Sequence, residues 1–319
     1  GMMFTDGYAA NPVCSPSRYS LLTGRAPSRE NHTDWFCGDR TGRFKYARYD
    51  CSMDTTRVTL GEAFQDAGYD TWFGGKWHLG PDSIHWPEHQ GFDLNKGGWR
   101  AGSPAAYGAD GYFSPYDNPR LRDGPKGEYL PFRLADEVEQ FIDTHRDDPF
   151  FALLSFYEVH NPRQAPDSLV QKYRRKRERL NLDAKSEFEP IEVGQPWEEG
   201  RAQKARVVQG HPIYAAMVDA LDHSVGQVLE ALSERGLSDN TVVVFVSDNG
   251  GLSTAEGHNT SNRPLRGGKG WVYEGGIRVP YVIHWPGVTD PGSTTDVPAI
   301  TTDLYPTLLD AAGLQKRPD

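Results

Sequence analysis

The sequence predicts an α/β fold, an open sandwich in which a mostly parallel central sheet carries helices on both faces. Three observations support that expectation. Amphipathic helical stripes alternate with short apolar runs along the chain. One of those runs, Thr241 to Val246, is almost wholly β-branched, the pattern of a strand buried on both faces in a parallel sheet. The length of 319 residues suffices for one large core of this kind.

The first helix opens at Cys14-Ser15-Pro16-Ser17-Arg18 and continues through Leu21 and Leu22 to Thr23-Gly24-Arg25. Pro16 is compatible with a helix start, where its missing N–H costs nothing. Cys14 then sits beside orphan backbone N–H groups and the positive end of a helix dipole, where a nucleophile meets anions. Residues 60–67 read as a second helix, leading into a short strand from Tyr69 to Phe73. Lys76 and His78, in Gly75-Lys76-Trp77-His78-Leu79-Gly80, leave that strand at its end, where ligands sit in α/β sheets.

A loop-rich stretch, 95–131, holds too many Gly and Pro residues for regular structure, and loops of that length are usually functional. Its Trp99, Tyr107, Tyr112 and Tyr116 are expected either to wall a substrate pocket as stacking surfaces or to pack a surface loop against itself. Leu134, Val138, Phe141 and Ile142 mark the apolar face of a helix before the strand Phe150 to Phe156. His160, in Val159-His160-Asn161-Pro162, follows that strand. Residues 160–210 read as a polar, variable insertion. Within it, Lys172 to Arg179 carries six basic residues in eight, expected as a solvated helix or as the rim for an anionic ligand.

Tyr214, Met217, Val218, Leu221, Val225, Val228, Leu229 and Leu232 form the next helical stripe. The strand from Thr241 follows and ends in Ser247-Asp248-Asn249-Gly250-Gly251. Asp248 and Asn249 offer a carboxylate and an amide oxygen, hard donors suited to Ca2+ or Mg2+ rather than Zn2+. Gly267-Gly268-Lys269-Gly270-Trp271 and Glu274-Gly275-Gly276-Ile277-Arg278-Val279-Pro280 come next. A strand within Arg278 to Trp285 and a helix over 302–313 complete the pattern. His85 and His89 have the i, i+4 spacing of a metal pair, but Pro87 between them argues against a helix.

The formal net charge of −10 argues against nucleic acid and polyanion binding in general. No apolar run reaches membrane-spanning length, and the mean hydropathy of −0.65 argues against a membrane protein. Of the three cysteines, Cys37 and Cys51 either close a small disulfide loop or remain free thiols.

Taken together and in order, these motifs resemble the signature of the type I sulfatases, the formylglycine-dependent branch of the alkaline-phosphatase-like superfamily. The resemblance implies that a formylglycine-generating enzyme converts Cys14 to formylglycine during synthesis. One hydroxyl of its hydrate would attack the sulfur of a sulfate ester, and the other would later expel sulfate. It implies that Arg18 orients this diol and offsets its charge, and that Lys76 and Lys269 hold the sulfate. His78 becomes the partner of the formylglycine. His160 becomes a contact to the ester and the acid for the leaving oxygen. Asp248 and Asn249, with an oxygen of residue 14, become metal ligands, with Ca2+ expected and Mg2+ the alternative. The implied substrate is a sulfated carbohydrate or an aryl sulfate, and family habit places such enzymes in the periplasm or outside the cell.

The family pattern begins with a strand that ends in two metal-binding aspartates, and it continues into a smaller C-terminal subdomain. Here only 13 residues precede Cys14. The expectation is therefore a catalytic α/β domain over 1–319, incomplete at both ends, with Gly1 before Met2 reading as a cleavage scar. Weak metal binding, little or no turnover and self-association through exposed sheet edges would follow. Two alternatives are a phosphonate or phosphate ester hydrolase on the same scaffold and a non-catalytic binding protein.

Overall fold

β3 (Asp70–Gly75) organises the molecule because its alternating side chains serve two cores. Trp72 points to one face, among Val138, Phe141, Ile142 and Leu232. Phe73 points to the other, in the cluster that contains Tyr19, Leu22, Phe64 and Leu309. Helices therefore cover both faces, as the alternation of elements predicts. The computed structural model describes residues 1–38, 48–191 and 203–315. Residues 192–202 of the expected insertion lie outside the described residues.

The helices are α1 (Cys14–Thr23), α2 (Leu60–Asp66), α3 (Leu130–His145), α4 (Asp167–Arg179), α5 (Pro212–Glu234), α6 (Glu274–Ile277) and α7 (Leu304–Ala311). The other strands are β1 (Met2–Phe4), β2 (Gly7–Tyr8), β4 (Leu94–Lys96), β5 (Phe150–Ser155), β6 (Phe188–Pro190), β7 (Lys204–Arg206), β8 (Val243–Val246), β9 (Tyr281–His284), β10 (Thr294–Thr295) and β11 (Ala299–Ile300). One sheet has the order β4-β3-β5 and is all parallel, with Trp72 opposite Ala152 and Gly75 opposite Ser155. A second has the order β10-β1-β9-β8. β2 pairs with β11, and β6 with β7 in a short antiparallel ribbon.

The second sheet departs from the expectation for the run at Thr241. β8 runs antiparallel to β9, and its residues are half-buried, with Phe245 38% exposed. Among the described residues β9 is its single ladder partner. A β-branched run records an apolar environment but not the direction of its neighbour, which is why its pattern suggested a parallel strand. β5 is likewise half-buried throughout and pairs with β3 alone among the described residues.

Local chemistry explains where the helices stop and start. α1 ends at Gly24, whose φ of 68° suits a residue without Cβ, and its N–H donates to the Ser20 carbonyl. Thr59 and Glu62 cap α2 reciprocally. α4 lies inside the region read as a variable insertion and is the helix expected for its basic run. Its basic run is partly paired, Lys172 with Asp219 at 2.7 Å and Arg177 with Asp183 at 2.7 Å and Glu187 at 2.6 Å. Cys37 and Cys51 form a disulfide with a Cα–Cα separation of 4.7 Å, which resolves the alternative left open by the sequence.

Candidate active site

The site is assembled at the C-terminal ends of β3, β5 and β8 and the N-terminus of α1. No side chain caps α1. Instead the Ser17 hydroxyl donates to the Asn11 carbonyl at 2.7 Å and accepts from the Asn11 N–H at 3.0 Å, fixing the loop that delivers Cys14. Cys14 is buried, and its Sγ lies 3.4 Å from His78 Nδ1. The same nitrogen is 3.3 Å from the Ser15 hydroxyl. His78 has a left-handed φ of 61°, with its N–H 3.2 Å from the Trp99 carbonyl. A Cβ on Gly102 would come 2.5 Å from its ring, so the glycine makes room for that imidazole.

Lys76 is 3% exposed, at the point where β3 and β5 part. Gly75 permits this close approach: its φ is 93°, and a Cβ there would lie 2.1 Å from the Ser155 carbonyl oxygen. That oxygen accepts from the Lys76 N–H at 2.7 Å. Arg18 binds the strand ends together. Its Nε donates to the Trp77 carbonyl at 3.0 Å, its Nη2 to the Lys76 carbonyl and the Ser155 hydroxyl, and its Nη1 to Asp248 at 3.2 Å. Arg18 thus holds the frame around Cys14. Lys269 arrives on a glycine-rich loop whose backbone donates from Lys269 to Gly251 and from Gly270 to Pro12, tying it to α1.

The electrostatics follow from packing cations around a buried thiol. Burial pushes the Cys14 thiol up, yet Lys76, His78 and Lys269 together hold it well below its ordinary range. Burial also raises the Asp248 carboxyl, and Lys76, Arg18 and Lys269 override it, bringing it to about 2. Lys76 is lowered, chiefly by its own burial. Burial and then the fields of Lys269 and Lys76 hold His160 well below its ordinary value, so it rests neutral. Its Nδ1 lies 2.9 Å from the Asn161 carbonyl, and the Tyr112 hydroxyl donates to the His160 carbonyl at 2.9 Å.

All the charged side chains expected from the motifs converge here, because Cys14, Asp248 and His160 each feel the fields of Lys76 and Lys269. Asn249 follows Asp248, and its Oδ1 is a buried acceptor with no hydrogen-bond partner. Asp248 and Asn249 therefore fit a hard cation in donor type. Among the described residues no three His, Cys, Asp or Glu side chains gather to hold a metal, the pair His85 and His89 included.

The aromatic wall needs correction. Tyr112 and Tyr116 are core residues, packed with Leu121, Tyr129 and Leu134. Their hydroxyls serve His160 and Glu128, a tie that composition alone does not show. Trp99 is buried, whereas Tyr107 is 62% exposed with the Arg100 guanidinium 3.8 Å above its ring. Sequence reasoning missed Ser155 and Glu158, and it gave Tyr112 a different role. Ser155 was legible only as the polar end of an apolar strand. Both carboxylate oxygens of Glu158 are buried without a hydrogen-bond partner, and burial pushes this group up to about 8.

A buried thiol ringed by cations at the strand ends of an α/β sandwich defines an anion-handling site in a fold of the alkaline-phosphatase type. The chain belongs to the sulfatase family, whose model matches residues 1–314. It is 32% identical to N-acetylgalactosamine-6-sulfatase of Canis lupus familiaris, over 98% of this chain and 56% of that protein. It is 31% identical to the ulvan-active sulfatase of Formosa agariphila, over 99% of this chain and 55% of that protein. The crystal structure of Ps i-CgsB in complex with k-i-k-neocarrahexaose superposes with a TM-score of 0.74 at 27% identity, over 99% of this chain and 65% of that one. The chain thus spans little more than half the length of these two curated relatives. Sulfatases in general use a formylglycine and a metal ion. No helix among the described residues is long and apolar enough to cross a membrane.

Proposed function

We propose that this chain is the catalytic α/β domain of a sulfuric ester hydrolase acting on a sulfated carbohydrate. The observation that carries the reading is Cys14 at the start of α1, 3.4 Å from His78 and inside the combined field of Lys76 and Lys269. The ulvan-active relative and the neighbour in complex with k-i-k-neocarrahexaose support a glycan substrate. The Cys37–Cys51 disulfide supports a periplasmic or secreted protein.

Each side chain has a task in that reaction. Lys76 and Lys269 balance the charge of the sulfate oxygens in a site with little water, where such charges act strongly. His78 Nδ1 is placed to take a proton from the group at position 14. His160 enters neutral and gains a proton only when a bound sulfate offsets the neighbouring ammonium groups, so its acidity is tied to an occupied site. Arg18 holds the ends of β3 and β5 in register with Asp248. A formylglycine at position 14 supplies the attacking oxygen when formed. A Ca2+ ion, or Mg2+ in its place, held by Asp248, Asn249 and residue 14, supplies electrophilic assistance when bound.

Asp248, Asn249 and residue 14 leave most of the coordination to water, so Ca2+ should bind this chain weakly, with a Kd of about 0.1–1 mM. Calorimetry showing a submicromolar Kd would contradict that donor count. The edges of β5 and β8, unshared among the described residues, also make self-association expected, readable from sedimentation.

The reading is tested by producing the chain with a formylglycine-generating enzyme and weighing the Cys14 peptide. The aldehyde mass is expected, as is protection of unconverted Cys14 from alkylation by inorganic sulfate. An unmodified thiol together with no protection would overturn the assignment. If turnover is seen, sulfate esters should be favoured over matched phosphate esters, and the reverse order would move the chain to the phosphate ester class.

A further inference from the structure

A second cationic cavity lies beside the site and is not used by the chemistry above. The ribbon β6–β7 and the loop leading to Lys269 enclose a groove of about 710 Å3, whose charged and polar lining is Arg206, Arg263, Arg266 and one carboxylate, Glu189, together with Ser253 and Asn262. That volume accommodates a ligand of several rings. Three arginines in one groove run against the net charge of −10 for the whole chain.

The groove is built rather than incidental. Arg206 is 6% exposed, and its Nη1 is buried without a hydrogen-bond partner, 3.2 Å from Glu187 in an ion pair. Its backbone N–H donates to the Ser253 carbonyl at 2.9 Å, joining β7 to the segment after Asp248. Arg263 pairs across the groove with Glu189. Arg266 lies 4.1 Å over the Tyr273 ring, is exposed, and has no carboxylate partner among the described residues.

The groove also shares a wall with the sulfate site. Ser253 donates to the Gly267 carbonyl at 2.9 Å, and Asn262 donates to the Gly251 and Gly267 carbonyls at 2.7 and 3.0 Å. Those bonds shape the loop that carries Lys269, whose own N–H donates to Gly251. One anion held at Lys269 and another held by the arginines would therefore lie on two sides of one loop. Planar guanidinium groups suit sulfate, which they bind through paired N–H donors.

We propose that this groove is a second sulfate-binding subsite, so that the preferred ligand is an oligosaccharide carrying at least two sulfate groups on neighbouring sugars. The inference rests on the sulfatase reading for the identity of the first anion. The groove recognises a sulfate that is not cleaved, and binding there orients the ester that is.

The test is calorimetric binding of two galactan tetrasaccharides that differ by one sulfate, monosulfated and disulfated, to the unconverted chain. The disulfated ligand should bind at least tenfold tighter. Arg263→Ala combined with Arg266→Ala should abolish that preference while leaving the monosulfated affinity within twofold. Lys269→Ala should weaken both ligands. Because the double variant removes the Arg263–Glu189 pair, Arg266→Gln alone provides a second variant, expected to lose a smaller part of the preference. Equal affinities for the two ligands in the unaltered chain would overturn the subsite, as would a preference that survives both arginine variants. If Lys269→Ala changes neither ligand while the arginine variants remove the preference, the groove stands and the sulfate-site reading falls. No binding of either ligand overturns the groove and leaves the reaction class to the Cys14 experiments.

Discussion

β3 and β8 each deliver charge to the site from a C-terminal end, but they are supported very differently. β3 has parallel neighbours on both sides, and five of its six residues are buried. β8 has one described neighbour, antiparallel, and its Phe245 reaches solvent. The side of the site that would bind anion, Lys76 and His78, therefore grows from a strand buried along almost its whole length. The side that would bind metal, Asp248 and Asn249, grows from a strand with one ladder partner among the described residues. Rigidity is concentrated where cations must stay close together against their mutual repulsion. Arg18 is the clamp that carries it across, from the Lys76 and Trp77 carbonyls to Asp248.

The strongest way to break this comparison is to empty the two strands in turn. Trp72→Ala, at a fully buried site among α3 and α5, should cost about 3–5 kcal/mol in urea unfolding. Phe245→Ala should cost less than about 1 kcal/mol. Equal losses would mean that β8 is as deeply embedded as β3.

Glu158, just beyond β5, tests the other edge. Its carboxyl is raised from an ordinary 4.5 to about 8, so the folded state keeps a proton that the unfolded chain releases. Stability from this group is complete below about pH 4.5 and is lost as pH rises through about 8. Glu158→Gln should remove that decline, gaining on the order of 3 kcal/mol at pH 8. A decline of unchanged size in the variant would show that other groups cause it.

Asp248 shifts the opposite way. Lowered from 3.8 to about 2, it contributes stability above about pH 4 that disappears as pH falls through about 2. Asp248→Asn should flatten that acid limb, worth about 2 kcal/mol. An acid limb of the same height in the variant would remove Asp248 from the cationic cluster.

The finest comparison is between the two lysines. Lys76→Met should raise the Cys14 thiol titration, followed by thiolate absorbance in the unconverted chain, and Lys269→Met should raise it less, following the order of their fields. The reverse order would place the Lys269 loop, rather than β3, at the electrostatic centre.

Most of the regular structure was legible in the sequence because burial leaves periodic marks. The stripe at Leu134, Val138, Phe141 and Ile142 became α3, and the run at Phe150 became β5. The acidic and basic site residues were legible because their motifs lie at strand and helix ends, where side chains converge. The roles of Tyr112 and Tyr116 were not. An aromatic residue in a loop looks the same whether its ring faces a ligand or the core, and only the partners of its hydroxyl distinguish the two.

The sequence by itself determined the α/β class, the order of the elements and the set of groups that meet at the site, since these depend on local periodicity and side-chain chemistry. The tertiary structure alone decided which neighbour each strand has, that β8 runs antiparallel and half-exposed, that Cys37 pairs with Cys51, and that Arg206, Arg263 and Arg266 share one groove. Those facts depend on contacts between residues far apart in the chain, and no local pattern records which surface a segment will meet.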